Sequence, residues 1–180
     1  MKAIVQDGYG SPDVLKLREI EKPVVGDDRV LVRVSAASVN AADWHLAQGL
    51  PHLIGMLLRS SRGSVRGFDL AGHVEAVGRS VTRFKPGDEV FGTGIGTFAE
   101  YVATSEDHLA PKPRNLTLGQ AAAIPVAGFT ALQGLRDKAH VQPGQRVLIY
   151  GAGGGVGTFA VQIARSLGAH VTAVSSTRNV

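Results

Sequence analysis

The sequence predicts an α/β chain in two parts: a β-rich region and, after it, a single strand–helix–strand unit. Three observations support this prediction. The first 110 residues or so hold short strands separated by turn residues. From Thr117 onwards the apolar residues recur at helical spacing. A glycine-rich turn then separates an apolar strand from an amphipathic helix. Apolar residues make up 44% of the 180 residues and charged residues 19%, which is typical of a globular protein.

In the first part, β-branched and apolar residues form each predicted strand, and glycine, proline and aspartate mark the turns. The predicted strands cover residues 2–5, 14–19, 29–34, 70–77, 89–91 and 98–104. Short strands at this spacing indicate a barrel-like β domain. Two helices are predicted next, over 118–124 and 130–139, separated by Pro125 and Gly128.

The second part begins with an apolar run at 147–150, which predicts a buried strand. The helix after it has one apolar face, formed by Val156, Phe159, Ala160, Ile163, Ala164 and Leu167. Gly168 ends this helix at the C′ position, and residues 170–174 are predicted as a second buried strand.

The turn between strand and helix consists of Gly151, Ala152, Gly153, Gly154, Gly155, Val156 and Gly157. Glycines allow a tight turn and let a pyrophosphate approach the backbone without meeting a Cβ. The first N–H groups of the helix then face the phosphates. The spacing is Ala-x-Gly-x-x-Gly, which departs from the strict dinucleotide-binding pattern at Ala152. A turn without any ligand is the alternative.

Composition excludes some classes of function. The chain has no cysteine, which excludes disulfides and thiolate metal sites and fits a cytoplasmic location. Its start is not a signal peptide, and the longest apolar region, 121–135, is too short to span a bilayer, so no membrane partner is expected. The net charge of +4 is spread along the chain and gives little support to a nucleic-acid partner.

One segment concentrates basic residues, and we interpret it as a surface loop. It contains Arg59, Ser60, Ser61, Arg62, Ser64 and Arg66. A solvated loop, a lid over a cleft and a contact for a polyanion are the three interpretations. Interleaved aromatic residues, which single-stranded nucleic acid would require, are missing.

Several motifs together carry a family resemblance. They are Gly-Phe-Asp-Leu-Ala-Gly at 67–72, Gly-Asp-Glu-Val-Phe-Gly at 87–92, Phe-Ala-Glu-Tyr-Val at 98–102, Ala-Ala-Ala-Ile-Pro at 121–125, Gly-Phe-Thr-Ala at 128–131 and the glycine turn. In this order and spacing, the chain resembles the N-terminal part of the zinc-independent quinone oxidoreductase branch of the medium-chain dehydrogenase/reductase superfamily. The resemblance implies a GroES-like β-barrel domain at 1–118 and, at 119–180, the first βαβ unit of an NADP-binding Rossmann domain. Relatives are longer, so we expect further Rossmann strands, and a homodimer, in a full-length protein.

The resemblance also bears on zinc. Zinc-dependent relatives place Gly-His-Glu where this chain has Gly67-Phe68-Asp69, and phenylalanine cannot bind a metal. The six histidines show no ligand spacing. We therefore expect no metal site, and hydride acceptors such as quinones or α,β-unsaturated carbonyls that need little carbonyl polarisation.

Candidate catalytic residues follow from the same resemblance. Asn40 matches a residue near the nicotinamide, Asp43 matches an acidic position of the family, and Thr130 matches a threonine beside the nicotinamide. The alternatives are turn and capping chemistry for Asn40 and Asp43, and a helix N-cap for Thr130. Tyr101 and Tyr150 could donate a proton, but their strand patterns favour packing.

The segment after the second strand indicates which nicotinamide cofactor is bound. NAD-binding units place an acid there to bind the ribose 2′-hydroxyl. This chain has Ser175, Ser176 and Arg178 instead, which favour the 2′-phosphate of NADPH. The sequence thus predicts an NADPH-dependent oxidoreductase acting on a small-molecule quinone or enone. The alternative is a non-catalytic nucleotide- or RNA-binding protein on the same fold.

Overall fold

The computed structural model describes residues 1–49 and 62–179, and it divides the chain into two compact units. Unit 1 is Met1–Pro125 and unit 2 is Val126–Val180. The sequence predicts a domain boundary after residue 118, whereas the compact units divide after Pro125.

Antiparallel strands form two sheets in unit 1. In chain order the strands are β1 (Lys2–Asp7), β2 (Leu15–Glu19), β3 (Arg29–Ala36), β4 (Arg62–Val65), β5 (Asp69–Val77), β6 (Glu89–Thr93), β7 (Tyr101–Ser105) and β8 (Leu109–Pro111). One sheet has the order β2-β1-β4 and the other β7-β3-β5-β6-β8. A bridge between Ala3 and Ala99 links them. The fold class is confirmed, although within the described residues these strands form two linked sheets and not one closed ring.

The core of unit 1 lies on the five-stranded sheet. Its fully buried members are apolar residues from five of the strands together with Phe84: Val30, Val32, Leu70, Val74, Phe84, Val90, Val102 and Leu109. Strands β3 and β5 pair along most of their length. They approach so closely that a Cβ added to Gly72 would lie 2.1 Å from the Arg33 carbonyl oxygen. Glycine at this position is therefore required for the central pairing.

The interpretation of the basic segment as a loop is wrong for its second half. Arg62–Val65 forms β4, which pairs with the end of β1. Strand β4 lies at the edge of the sheet β2-β1-β4. Arg59, Ser60 and Ser61 lie outside the described residues.

The helical segment between the two parts also differs from the prediction. Helix α1 is Ala41–Gln48, α2 is Leu118–Ala122 and α3 is Pro125–Leu132, continued by a π-helical segment at Gln133–Lys138. Pro125 opens α3 instead of separating two helices. Proline is tolerated in the first helical turn because N–H groups there have no acceptor within the helix, so its lack of an N–H costs no hydrogen bond.

Unit 2 contains the predicted strand–helix–strand order. Strand β9 (Arg146–Tyr150) leads through the glycine turn into α4 (Gly155–Ser166), and β10 (His170–Val174) runs parallel to β9. Gly168 has φ +81° and follows the C-cap residue Leu167, which places it at the predicted C′ position. Helix α4 packs through Ala164 against Ile149 and Ala152.

The prediction that β9 and β10 are buried strands is wrong for most of their residues. Leu148 is 68% exposed and Tyr150 87% exposed, while Ile149 between them is buried. Side chains alternate between the two faces of a strand, and α4 covers the face that carries Ile149. The assignment of Tyr150 as a packing residue is likewise wrong.

None of the helices within residues 1–49 and 62–179 has both the length and the apolar character needed to cross a bilayer.

Candidate functional site

The glycine turn is fixed to the end of the neighbouring strand. The N–H groups of Gly151 and Ala152 both donate to the Val174 carbonyl oxygen, at 3.0 and 2.9 Å. Gly151 has φ +79°, a conformation that glycine adopts without strain. The turn closes with a 3.0 Å bond from the Gly154 N–H to the Gly151 carbonyl. Backbone hydrogen bonds therefore define the shape of the loop.

Gly157 brings the first turn of α4 directly onto this loop. A Cβ at Gly157 would lie 2.1 Å from the Gly151 carbonyl oxygen and 2.8 Å from the Ala152 Cα. Gly155 has nothing within 4 Å of an added Cβ. The glycine turn thus has one position, Gly157, where helix and loop touch, and two, Gly151 and Gly155, that face open space. The first N–H groups of a helix have no acceptor within it, so this end of α4 can bind an anion.

A cavity of about 440 Å³ lies beside the turn. It is lined by Ala152, Gly153, Thr158, Val161, Ala173, Ser175 and Asn179. A Cβ on Gly153 would come within 2.7 Å of the Ser175 hydroxyl and of the Asn179 amide nitrogen. The Ser175 hydroxyl is buried and has no hydrogen-bond partner among the described residues. Glycine at 153 thus lets the turn pack against residues 175 and 179. A cavity with an unpartnered hydroxyl in its wall fits a bound dinucleotide.

The end of β10 carries the residues predicted to select the cofactor. Ser176 accepts hydrogen bonds from Asn179, at its carbonyl oxygen (2.8 Å) and at its hydroxyl (3.3 Å). Arg178 is exposed and forms no ion pair with any residue that the structure describes. Segment 175–179 contains no acidic residue. The guanidinium is therefore free to pair with an incoming anion.

In unit 1, Asn40 lies at the N-terminus of α1 within a network of polar side chains. Its Nδ2 donates to the Asp69 Oδ2 at 2.8 Å. The Ser38 hydroxyl donates to the same Asp69 oxygen at 2.6 Å and lies 3.4 Å from the Asn40 Nδ2. The Asn40 backbone N–H donates to the Asp43 Oδ2 at 2.8 Å. Asn40 and Asp43 thus cap α1, as the alternative interpretation predicts, and Asn40 also keeps a side-chain partner outside the helix.

Asp43 is only 5% exposed, and burial raises the pKa of its carboxyl group. The nearby Asp69 charge raises this pKa further, whereas the Asn40 and Gly67 N–H groups and the Arg66 guanidinium lower it. The Asn40 N–H forms a hydrogen bond with the Asp43 Oδ2. The other carboxyl oxygen, Oδ1, has no hydrogen-bond partner among the described residues. Burial prevails, so protonation of Asp43 is easier than that of an exposed aspartate.

Arg66 connects this region to the sheet. Its Nε donates to the Oε1 of Gln6, a fully buried residue. The Gln6 amide in turn donates to the Ala47 carbonyl at 3.3 Å, near the end of α1. Arg66 is thus committed to an internal bond and is not a free cation of a surface loop.

Thr130 lies within α3 and is exposed. Its hydroxyl donates to the Val126 carbonyl at 2.6 Å, one turn earlier in the helix. The N-cap alternative is therefore wrong, because Pro125 and not Thr130 begins the helix. The hydroxyl oxygen retains acceptor capacity for a donor group outside the helix.

Two residues of the polar network were not among the predicted site residues: Ser38 and Asp69. They lie 31 positions apart and meet because β3 and β5 are paired. No local motif indicates such a contact. The position of Asp69 in the Gly67-Phe68-Asp69 triplet was the only available signal.

Phe68, beside Asp69, lines a smaller cavity of about 190 Å³ together with Thr93, Ile95 and His108. In the parts of the chain that the structure describes, no three His, Asp or Glu side chains gather as a metal-ligand set. His52 lies outside those parts.

The chain is similar to known oxidoreductases over its length. Residues 26–114 match the alcohol dehydrogenase GroES-like domain. A quinone oxidoreductase of Sus scrofa is 39% identical over 180 residues, covering 98% of this chain and 53% of the relative. A 2-methylene-furan-3-one reductase of Solanum lycopersicum is 38% identical over 190 residues, covering 98% and 48%.

The chain is also similar to a solved structure of an oxidoreductase. An Escherichia coli quinone oxidoreductase, in complex with NADPH, superposes with a TM-score of 0.87 at 29% identity, over 98% of this chain and 53% of that one. The chain spans about half the length of the relatives it matches.

Proposed function

The chain belongs to the medium-chain dehydrogenase/reductase superfamily, in its quinone oxidoreductase branch, and on that premise we propose that its protein reduces a quinone or an α,β-unsaturated carbonyl with NADPH, without zinc. The single observation that carries the proposal is the glycine turn, with the open cavity beside it and the N-terminus of α4 behind it. An NADPH complex of a relative and an enone-type reductase among the relatives support the same choice.

The residues around the turn fit a dinucleotide. The backbone N–H groups at the start of α4 would bind the pyrophosphate, because the helix dipole favours negative charge there. The cavity that Gly153 lines would accommodate the ribose, and the unpartnered Ser175 hydroxyl would donate to the cofactor. Gly151, Ala152, Gly154, Gly155, Val156 and Gly157 complete this backbone site.

We attribute the choice of NADPH to charge at the end of β10. Arg178 would pair with the 2′-phosphate, and the Ser176 hydroxyl, which accepts from the Asn179 amide, would donate its own proton to the phosphate. An acid at this place would repel the phosphate, and residues 175–179 contain none.

For catalysis, we assign Asn40, Asp43 and Thr130 to the nicotinamide end of the cofactor. When bound, the reduced nicotinamide supplies a hydride from its C4 atom. Asn40 and Thr130 would orient the ring by hydrogen bonds, and Asp43 would hold Asn40 through its backbone N–H. An enone would gain the hydride at its β-carbon and a proton from water at its α-carbon.

The residues at the positions of the zinc ligands lead us to propose a reaction without zinc. Phe68 occupies the position where zinc-dependent relatives place a histidine ligand, and the sequence has no cysteine. The acceptor must therefore react without a Lewis acid, which favours quinones and enones over simple ketones.

The test is NADPH oxidation by the complete natural protein with a panel of quinones, enones and saturated ketones, before and after dialysis against a chelator. We expect turnover with quinones or enones and equal rates after dialysis. Turnover confined to saturated ketones, or a rate lost on dialysis and restored by zinc, would refute the proposal.

The competing candidate, a nucleotide- or RNA-binding protein without turnover, receives less support. The net charge of +4 and the basic segment motivate it, and Arg66 of that segment donates to the buried Gln6. Salt-dependent RNA retention without NADPH turnover would favour it. A cytoplasmic location and a homodimer remain proposals from the family resemblance, and fractionation and native mass measurements would test them.

A further inference from the structure

Asp69 has no role in the mechanism described above, and yet it is a completely buried carboxylate, 0% exposed. Burying a carboxylate is costly unless hydrogen bonds compensate it. Here one of its oxygens, Oδ2, accepts from both the Ser38 hydroxyl (2.6 Å) and the Asn40 Nδ2 (2.8 Å). The partners of this buried acid thus include the residue that we place against the nicotinamide.

The chemistry of the amide makes this contact directional. An Asn side chain has a donor end, Nδ2, and an acceptor end, Oδ1, of nearly the same shape. An ionised carboxylate only accepts hydrogen bonds, so Asp69 can bind the Nδ2 end and repels the Oδ1 end. The Ser38 oxygen, whose proton goes to Asp69, is a second acceptor 3.4 Å from Nδ2. Both contacts hold the same end of the amide.

We propose that Asp69 is a positioning residue that fixes the orientation of the Asn40 amide, so that Oδ1 is presented as an acceptor to a hydrogen-bond donor of the cofactor. The donors in question are the carboxamide N–H and the ribose hydroxyls of the nicotinamide half. The inference rests on the proposed function, in which Asn40 contacts that half. Without Asp69, the amide could turn over and offer a donor where the cofactor also has donors.

The experiment is a double-mutant cycle in the complete natural protein. The dissociation constant of NADPH is measured from the fluorescence of the bound cofactor. The variants are Asp69→Asn, Asn40→Ala and the two combined. Asp69→Asn keeps the shape but can bind either end of the Asn40 amide. Asp88→Asn is the matched control, because Asp88 makes its contact with the Lys85 N–H in a turn outside the network.

We expect Asn40→Ala and Asp69→Asn each to weaken NADPH about tenfold, the effect of one lost hydrogen bond near 1.4 kcal/mol. In the Asn40→Ala background, Asp69→Asn should weaken NADPH no further, because no amide remains to be oriented. The Asp88→Asn control should bind as the unmodified protein does. Additive effects in the cycle would overturn the inference, since a purely structural role of Asp69 does not depend on Asn40.

Failure of the inference and failure of the proposed function give different results. If the unmodified protein binds no NADPH, the proposed function fails. If it binds NADPH and Asn40→Ala binds it equally well, Asn40 does not contact the cofactor and the positioning role fails with it. If Asn40→Ala weakens binding and Asp69→Asn, with an unchanged melting temperature, does not, only the positioning role fails. Should Asp69→Asn not fold, Ser38→Ala replaces it in the cycle with a smaller expected effect of about threefold, and additivity there again overturns the inference.

Discussion

Unit 1 and unit 2 each contain a group of candidate site residues, and the two groups are built by different means. In unit 1, side chains that are distant in sequence meet: Asn40, at the N-terminus of α1, and Asp69, on β5, are 29 positions apart and bond at 2.8 Å. In unit 2, the backbone forms the site within a short segment, and the turn is held by bonds within itself, to Val174 and from Thr158. Unit 1 depends on which side chains are present, whereas unit 2 depends on where side chains are absent.

This difference predicts which substitutions each unit tolerates. A site made of side chains is sensitive to the loss of a functional group. A site made of backbone is sensitive to the addition of a single methyl group where helix and turn touch. The four predictions below test the contrast, beginning with the largest expected effect.

Gly157→Ala should abolish NADPH binding. The new methyl group would lie 2.1 Å from the Gly151 carbonyl oxygen, a backbone atom that cannot move away without opening the turn. We expect at least a hundredfold weaker binding and a loss of about 3 kcal/mol in stability. The matched control is Gly134→Ala, in the helical segment after α3, where an added Cβ meets nothing within 4 Å. Equal effects of both substitutions on binding would show that the contact at Gly157 is not limiting.

Leu70→Ala tests the core of unit 1. Leu70 is fully buried in the central strand β5, so truncation leaves a cavity among its neighbours. We expect a loss of about 2–5 kcal/mol in the free energy of unfolding. Leu17→Ala, at a residue 66% exposed on β2, should change it by less than about 0.5 kcal/mol. A comparable loss for the two would contradict the location of the core.

Arg178→Ala should separate the two nicotinamide cofactors. Removing one charge-assisted contact with the 2′-phosphate should weaken NADPH by about 1.5–3 kcal/mol, roughly ten- to a hundredfold. NADH lacks that phosphate and should bind nearly as before. Binding constants for both cofactors provide the measurement. If both weaken equally, or neither does, Arg178 does not bind the 2′-phosphate.

The same contrast explains how much the sequence could predict. The turn, α4 and Gly168 were predicted correctly because glycine spacing and helical periodicity are local signals. The contact between Asn40 and Asp69 depends on the pairing of β3 with β5, which no single segment encodes. The exposure of Leu148 was also missed, because an apolar run alone does not tell which face of a strand is covered.

Asp43→Asn should have the smallest effect, and its sign depends on pH. Because burial raises the pKa of Asp43, the folded protein holds a proton on this carboxyl at pH values where the unfolded chain has released it. In the window from about pH 4, the usual value, up to the raised pKa, the Asp43 contribution to stability therefore falls as the pH rises. Above that window the cost of burying the charge is constant. An Asn side chain carries no charge to bury and can still accept the Asn40 N–H through its Oδ1.

We therefore expect the melting temperature of Asp43→Asn, relative to the unmodified protein, to increase with pH across this window and then to level off. The exposed Asp13→Asn is the matched control, and its difference from the unmodified protein should stay flat because no buried charge is removed. A relative melting temperature that decreases with pH would mean that the N–H groups of Asn40 and Gly67 and the Arg66 guanidinium outweigh burial. Asp43 would then stabilise unit 1 as a charged cap of α1.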